Sequence, residues 1–189
     1  MIDLDIVPPM PPLRSYRRVW IPLAATLAVA GLLGLLYFGL TTNRIQTGVM
    51  PRANALAPGF SLQTFEGKTV SLADFRGHAV VLNFWSSWCG PCKDEEPTLV
   101  ALSQRYDPSK VTFVGINIQD TRQDAVGFLN QYHVTYPVVV DPDGKVYIDY
   151  GVVGVPETYV LDPNGRIQRK LVGPIDESQL TASLEGMQQ

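Results

Sequence analysis

The sequence predicts an α/β domain in which helices cover a mixed central sheet, with a β-hairpin at its start and a single apolar helix ahead of it. Three observations carry this. Ala79–Trp85 (AVVLNFW) is a near-continuous apolar run, the pattern of a central strand buried on both faces. Strand-like and helix-like stretches alternate from there to residue 140, as parallel strands with helical crossovers do. Finally, Asp162-Pro163-Asn164-Gly165 separates two strand-like runs, a turn signal that adds an antiparallel hairpin near the end.

The elements follow in order. Residues 1–18 are rich in proline and form a short tail. Val19–Leu40 holds no charged residue and, as a helix rising ~1.5 Å per residue, spans ~33 Å, enough for a hydrocarbon core of ~30 Å. Trp20 and Tyr37-Phe38 sit near its ends, where aromatic rings suit the interface. Arg14, Arg17 and Arg18 precede it and Arg44 follows, which places the tail in the cytoplasm and the rest outside. A cleaved signal peptide is the alternative, but the apolar run is long and its exit, Gly39-Leu40-Thr41-Thr42-Asn43, lacks a small-x-small site. Residues 41–56 are small and polar, a linker, and residues 57–189 form the folded domain.

Within that domain Phe60–Leu62 and Lys68–Leu72 flank Glu66-Gly67 as a hairpin. After the central strand, residues 90–106 read as a helix, with Leu99, Leu102 and Tyr106 at helical spacing and acids Asp94, Glu95 and Glu96 early, where the dipole favours them. Pro97 interrupts its hydrogen bonding. Val111–Ile118 is a strand, 122–132 a helix and Pro137–Val140 a strand. Thr158–Leu161 and Arg166–Leu171 make the late hairpin, and Glu177–Met187 closes the chain as a helix.

Composition narrows function. The 189 residues are 46% hydrophobic and 17% charged with a formal net charge of −3, so no basic field favours nucleic acid. The two cysteines, Cys89 and Cys92, stand three apart at the predicted strand–helix junction. That spacing at a helix N-terminus is a redox signature, because unpaired N–H groups and the dipole stabilise a thiolate, the species that attacks a disulfide. The competing reading is half of a zinc site. Structural zinc needs four ligands, and His78 and His133 show no ligand spacing to the pair, so no metal is assigned.

Phe84-Trp85-Ser86-Ser87-Trp88-Cys89-Gly90-Pro91-Cys92-Lys93 resembles the thioredoxin active-site segment, with Pro97 at the helix-kinking position. Ala57-Pro58-Gly59-Phe60, Val70-Ser71-Leu72-Ala73-Asp74-Phe75-Arg76-Gly77 and Gly151-Val152-Val153-Gly154-Val155-Pro156-Glu157-Thr158 narrow the likeness to the membrane-anchored TlpA/ResA/CcmG (DsbE) branch. The resemblance implies a thioredoxin-like fold and no cofactor beyond a redox-active Cys89–Cys92 disulfide. Trp88, Gly90 and Pro91 then flank the site, and Val155-Pro156 forms a cis-proline loop facing the cysteines that binds extended substrate. It also implies that Glu95 and Glu157 tune the pair or carry its protons. Thioredoxin itself has a buried aspartate six residues before the first cysteine; Asn83 stands there, so that proton relay is absent.

The implied activity is an extracytoplasmic protein-disulfide reductase keeping the haem-binding cysteines of apocytochrome c reduced. A membrane thiol protein would recharge it. Two alternatives share the fold: a disulfide-forming oxidant, and a copper-delivery module, although the latter resembles C-x-x-x-C with a distant histidine.

Overall fold

The computed structural model describes residues 22–23, 25–35 and 53–185. The chain divides into two units, Met1–Gln46 and Thr47–Gln189. In the first, the described residues are helical and exposed. No helix among the described residues is long and apolar enough to cross a membrane. The expected tail 1–18, both ends of the expected span 19–40 and linker residues 41–52 lie outside the described residues.

The second unit is built on seven strands: β1 (Ser61–Thr64), β2 (Thr69–Ser71), β3 (Ala79–Trp85), β4 (Val111–Ile118), β5 (Val138–Asp141), β6 (Glu157–Leu161) and β7 (Ile167–Val172). Their spatial order is β2-β1-β5-β4-β3-β6-β7. β3, β4 and β5 run parallel, and β6 returns antiparallel against β3. The sheet is therefore mixed, as expected, and every residue of β3 is buried. β1 and β2 form the early hairpin, closed by Gly67 at φ 85°, a conformation glycine adopts without a Cβ penalty.

Among the described residues of this unit four α-helices accompany the strands: α1 (Gly90–Arg105), α2 (Arg122–Tyr132), α3 (Lys145–Asp149) and α4 (Glu177–Glu185). Because side chains alternate along a strand, β3 divides the core. Ala79 and Val81 pack with Leu99 and Leu102 of α1 and Leu180 and Leu184 of α4. Trp85 packs with Ala125 and Phe128 of α2 and with both cysteines. Val80, Leu82 and Phe84 face the other way, toward Phe60, Val146, Tyr150, Val152 and Tyr159.

The sequence reading had no counterpart for α3. Its five residues follow a turn at Asp141-Pro142-Asp143-Gly144, where Gly144 takes φ 67°. An ion pair between Lys145 and Asp149, one turn apart, spans it. A helix this short owes its existence to packing rather than to propensity, here through buried Val146. Residues 53–57 are strapped to the turn between β6 and β7. Asn54 N–H donates to Ile167 at 2.6 Å, Ile167 N–H to Ala55 at 2.9 Å and Ala57 N–H to Gly165 at 2.9 Å.

Candidate active site

Cys89 is the N-cap of α1. Its Sγ accepts the Cys92 N–H at 3.1 Å, and Pro91 occupies the first turn, where no donor is lost. The two sulfurs form a disulfide with a Cα–Cα distance of 5.3 Å. Both are buried, Cys89 at 4% and Cys92 at 1% exposure, against Trp85, which stacks on Phe128. This places the pair at the positive end of a sixteen-residue helix, on the end of the central strand.

The segment before Cys89 is clamped by the loop after β4. Ser86 Oγ donates to the Ile118 carbonyl at 2.5 Å. Asp120 accepts from Ser87 N–H at 2.6 Å and Ser87 Oγ at 2.7 Å, and also from Asn117 Nδ2 and Thr121 N–H. Trp88 Nε1 donates to the Gln119 carbonyl at 2.9 Å, and Gln119 is held at φ 48°. The Trp88 ring remains 58% exposed, so it is fixed at one edge while its face meets solvent.

Val155-Pro156 is a cis peptide, as the resemblance implies. Val155 packs on the cluster that holds both cysteines, so the loop does reach the redox pair. Pro156 O accepts from Gly173 N–H at 2.9 Å, tying the loop to the end of β7.

The two acids that the sequence grouped together are separated by the sheet. Glu95 lies one helical turn beyond Cys92 on α1 and is 3% exposed. Its Oε1 accepts from Asn83 Nδ2 at 2.8 Å and its Oε2 from Ile175 N–H at 2.7 Å. Burial pushes its pKa up to about 7, against the opposing pull of those two hydrogen bonds. Asn83 also donates to Thr158 Oγ1 at 3.0 Å. Glu157 is registered opposite Phe84, on the other face, and is fully buried. It opens β6 and pairs with Lys170 of β7 at 2.8 Å while accepting from Val153 N–H at 3.0 Å.

Sequence reasoning missed three participants. Glu96, read only as one of three acids favoured early in the helix, is 1% exposed, and Tyr136 Oη donates to it at 2.5 Å. Burial raises its pKa to about 7 as well. Asp120 follows directly on the strand beside β3, at the carboxyl ends of parallel strands where ligands gather, and that position was its signal. Lys170 faces Tyr159 across the late hairpin, so its signal was the register that the Asp162–Gly165 turn imposes.

A helix-capping disulfide at the end of the central strand, with a cis-proline loop packed beside it, defines a thiol–disulfide oxidoreductase of thioredoxin-like fold. Comparison with known proteins agrees. Residues 53–170 match the AhpC/TSA family. The thiol-disulfide oxidoreductase ResA of Bacillus thuringiensis is 33% identical over 129 residues, covering 68% of this chain and 75% of that one. The thiol:disulfide interchange protein DsbE of Allochromatium vinosum is 36% identical over 165 residues, covering 86% and 87%. A thioredoxin-family thiol:disulfide interchange protein from Chlorobium tepidum superposes with a TM-score of 0.63 at 29% identity, over 70% of this chain and 94% of that one. The chain belongs to the AhpC/TSA family, and within it to the thiol–disulfide oxidoreductases of the ResA/DsbE type, with Cys89-Gly90-Pro91-Cys92 as its redox site.

Proposed function

We propose that this protein is an extracytoplasmic protein-disulfide reductase, anchored by residues 19–40, which keeps the haem-binding cysteines of apocytochrome c reduced. The observation that carries the direction is Glu95, a buried carboxylate one turn past Cys92. It disfavours a second charge beside it and so opposes the thiolate-stabilised state typical of strong oxidants.

In the reduced enzyme the Cys89 thiolate, at the helix N-terminus, attacks one sulfur of the substrate disulfide. A mixed disulfide forms and the first substrate thiolate leaves, taking a proton from solvent. Cys92 then yields its proton to the Glu95 carboxylate and attacks Cys89 Sγ. The Cys89–Cys92 disulfide forms and the second substrate thiolate leaves, so two electrons have passed to the substrate. Glu95 suits the proton step because its pKa of about 7 lies near the working pH. Val155-Pro156 holds the substrate segment in an extended form beside the pair, and the pinned Trp88 face adds an apolar platform. A dithiol protein of the membrane then reduces the disulfide, since the outer compartment offers no such reductant.

The test is the reduction potential of the full-length protein in detergent, together with turnover of an oxidised Cys-x-x-Cys-His peptide. A potential well below the glutathione range, with peptide reduction, is expected. A value near about −120 mV, as for the strong oxidants, overturns the reading in favour of disulfide formation. Alkaline extraction of native membranes checks the anchor: the full chain stays in the pellet, and a chain starting at residue 41 leaves it.

A further inference from the structure

We infer that Lys170 is a positioning residue for the substrate loop: its ammonium neutralises buried Glu157 so that the pair together hold both sides of the Gly151–Pro156 segment. The inference rests on Val155-Pro156 being that loop.

The geometry is reciprocal. Lys170 Nζ lies 2.8 Å from Glu157 Oε2 and donates to the Gly151 carbonyl at 3.0 Å. Glu157 Oε1 accepts the Val153 N–H at 3.0 Å. One cation and one anion thus take one backbone acceptor and one backbone donor of the same loop. Lys170 sits opposite Tyr159 in register and lies 5.3 Å from the centre of its ring, which gives the ammonium a third favourable contact.

The burial makes the arrangement interdependent. The Glu157 side chain is 0% and that of Lys170 16% exposed. Removing the cation leaves a fully buried carboxylate with the Val153 N–H as its one remaining hydrogen-bond donor, which destabilises the segment that carries that amide. Lys170 in turn is held charged. Burial lowers its pKa, but the contacts with Glu157 and Tyr159 outweigh that and leave it above the usual lysine value. The loop's other side chains support a docking role, since Val153 is 68% exposed while Val152 beside it is buried. The segment is therefore rooted by its backbone, by Val152 and by Val155, and it offers Val153 outward to an extended, disulfide-bearing peptide.

Two measurements on the full-length protein in detergent test this. Hydrogen exchange at the Val153 amide should quicken about tenfold or more in Lys170→Met and stay near the wild-type rate in Lys170→Arg. With an oxidised Cys-x-x-Cys-His peptide as probe, KM should rise about tenfold in Lys170→Met while kcat stays within about twofold, and Lys170→Arg should restore KM. The double variant Glu157→Gln/Lys170→Met removes both charges and guards against simple misfolding. It should fold as the wild type does and keep the raised KM, because a neutral amide holds Val153 less firmly. A Val153 amide equally protected in Lys170→Met and wild type overturns the assignment, and so does an unchanged KM. If the wild type fails to reduce the peptide, the underlying function falls instead, and the exchange measurement still decides the role of Lys170.

Discussion

Asn83 and Glu95 meet at 2.8 Å inside the protein, amide to carboxylate, where the central strand passes under the helix that carries the redox pair. The strand supplies the donor and the helix supplies the acid. The titratable group of this core thus arrives from α1, directly in line with Cys92. Glu95→Gln keeps the shape and removes the charge. Resolution of the mixed disulfide should slow by about a hundredfold or more, the usual contribution of a positioned acid–base group. The rate's dependence on pH near 7 should disappear with it. Stopped-flow decay of a Cys89-linked mixed disulfide across pH 5–9 reads both; a Gln variant with the wild-type profile excludes Glu95 from the proton step.

Stability should depend on pH in a direction opposite to that of a salt-bridged acid. Glu95 and Glu96 both rise from 4.5 to about 7 on folding because they are buried. Between those values the folded chain holds more protons than the unfolded chain. Stability contributed by protonation is thus fully present below about pH 4.5 and is lost as pH climbs through about 7, on the order of 3 kcal/mol for each group at most. Urea midpoints of the oxidised protein should fall from pH 5 to pH 8. In Glu95→Gln/Glu96→Gln the fall should largely vanish.

Tyr136→Phe tests the second acid alone. The Tyr136 hydroxyl donates to Glu96 and lowers its pKa, so its loss leaves a buried acceptor short of a partner. We expect a cost of about 1–3 kcal/mol, larger at pH 8 than at pH 5. Equal costs at the two values, measured by urea unfolding, would mean that Glu96 keeps one protonation state throughout.

Asp120→Ala should affect both folding and rate. It strips four donors of their acceptor, among them both groups of Ser87. A loss of about 1–3 kcal/mol in stability is expected. Cys89 alkylation in the reduced protein should change rate as its turn loosens, and Trp88 fluorescence should shift. Ser87→Ala should show a smaller version of each effect.

Gly115 lies under the ring of Trp85. A Cβ placed there meets Trp85 Nε1 at 3.0 Å and Val138 Cγ2 at 3.1 Å. Trp85 is wedged against Phe128 and cannot withdraw freely. Gly115→Ala should therefore cost about 1–3 kcal/mol by overpacking, and a thermal scan showing no loss would mean that the ring has another place to go.

Much of this was legible in the sequence because it is local. β3 announces itself through a run of apolar side chains that only a strand buried on both faces needs. The spacing of Cys89 and Cys92 is itself the chemistry, and Gly67 and Asn164-Gly165 mark their turns by conformational permissiveness. What stayed hidden depends on partners remote in the chain. Glu96 looks like any acid near a helix start until Tyr136 arrives from forty residues away. Asp120 looks like a loop residue until Ser87 turns toward it. Glu157 stands out through its place after Pro156, but its partner Lys170 does not, and only the register of β6 with β7 makes them one buried pair. α3 was unreadable for another reason: five residues carry too little periodicity to show.

The strap formed by residues 53–57 bears on how the protein is handled and kept soluble. β7 ends the sheet, and an open outer strand is a template for pairing with other chains. Asn54 and Ala55 take both backbone groups of Ile167, the first residue of β7, and Ala57 ties down Gly165 in the turn before it, at the end of β6–β7 remote from the cysteines. Trimming the polypeptide to the nominal domain start at residue 57 would uncover that border without touching the chemistry. Such a shortened form should exchange disulfides at the normal rate while clumping through β7, whereas one beginning before residue 53 stays dispersed.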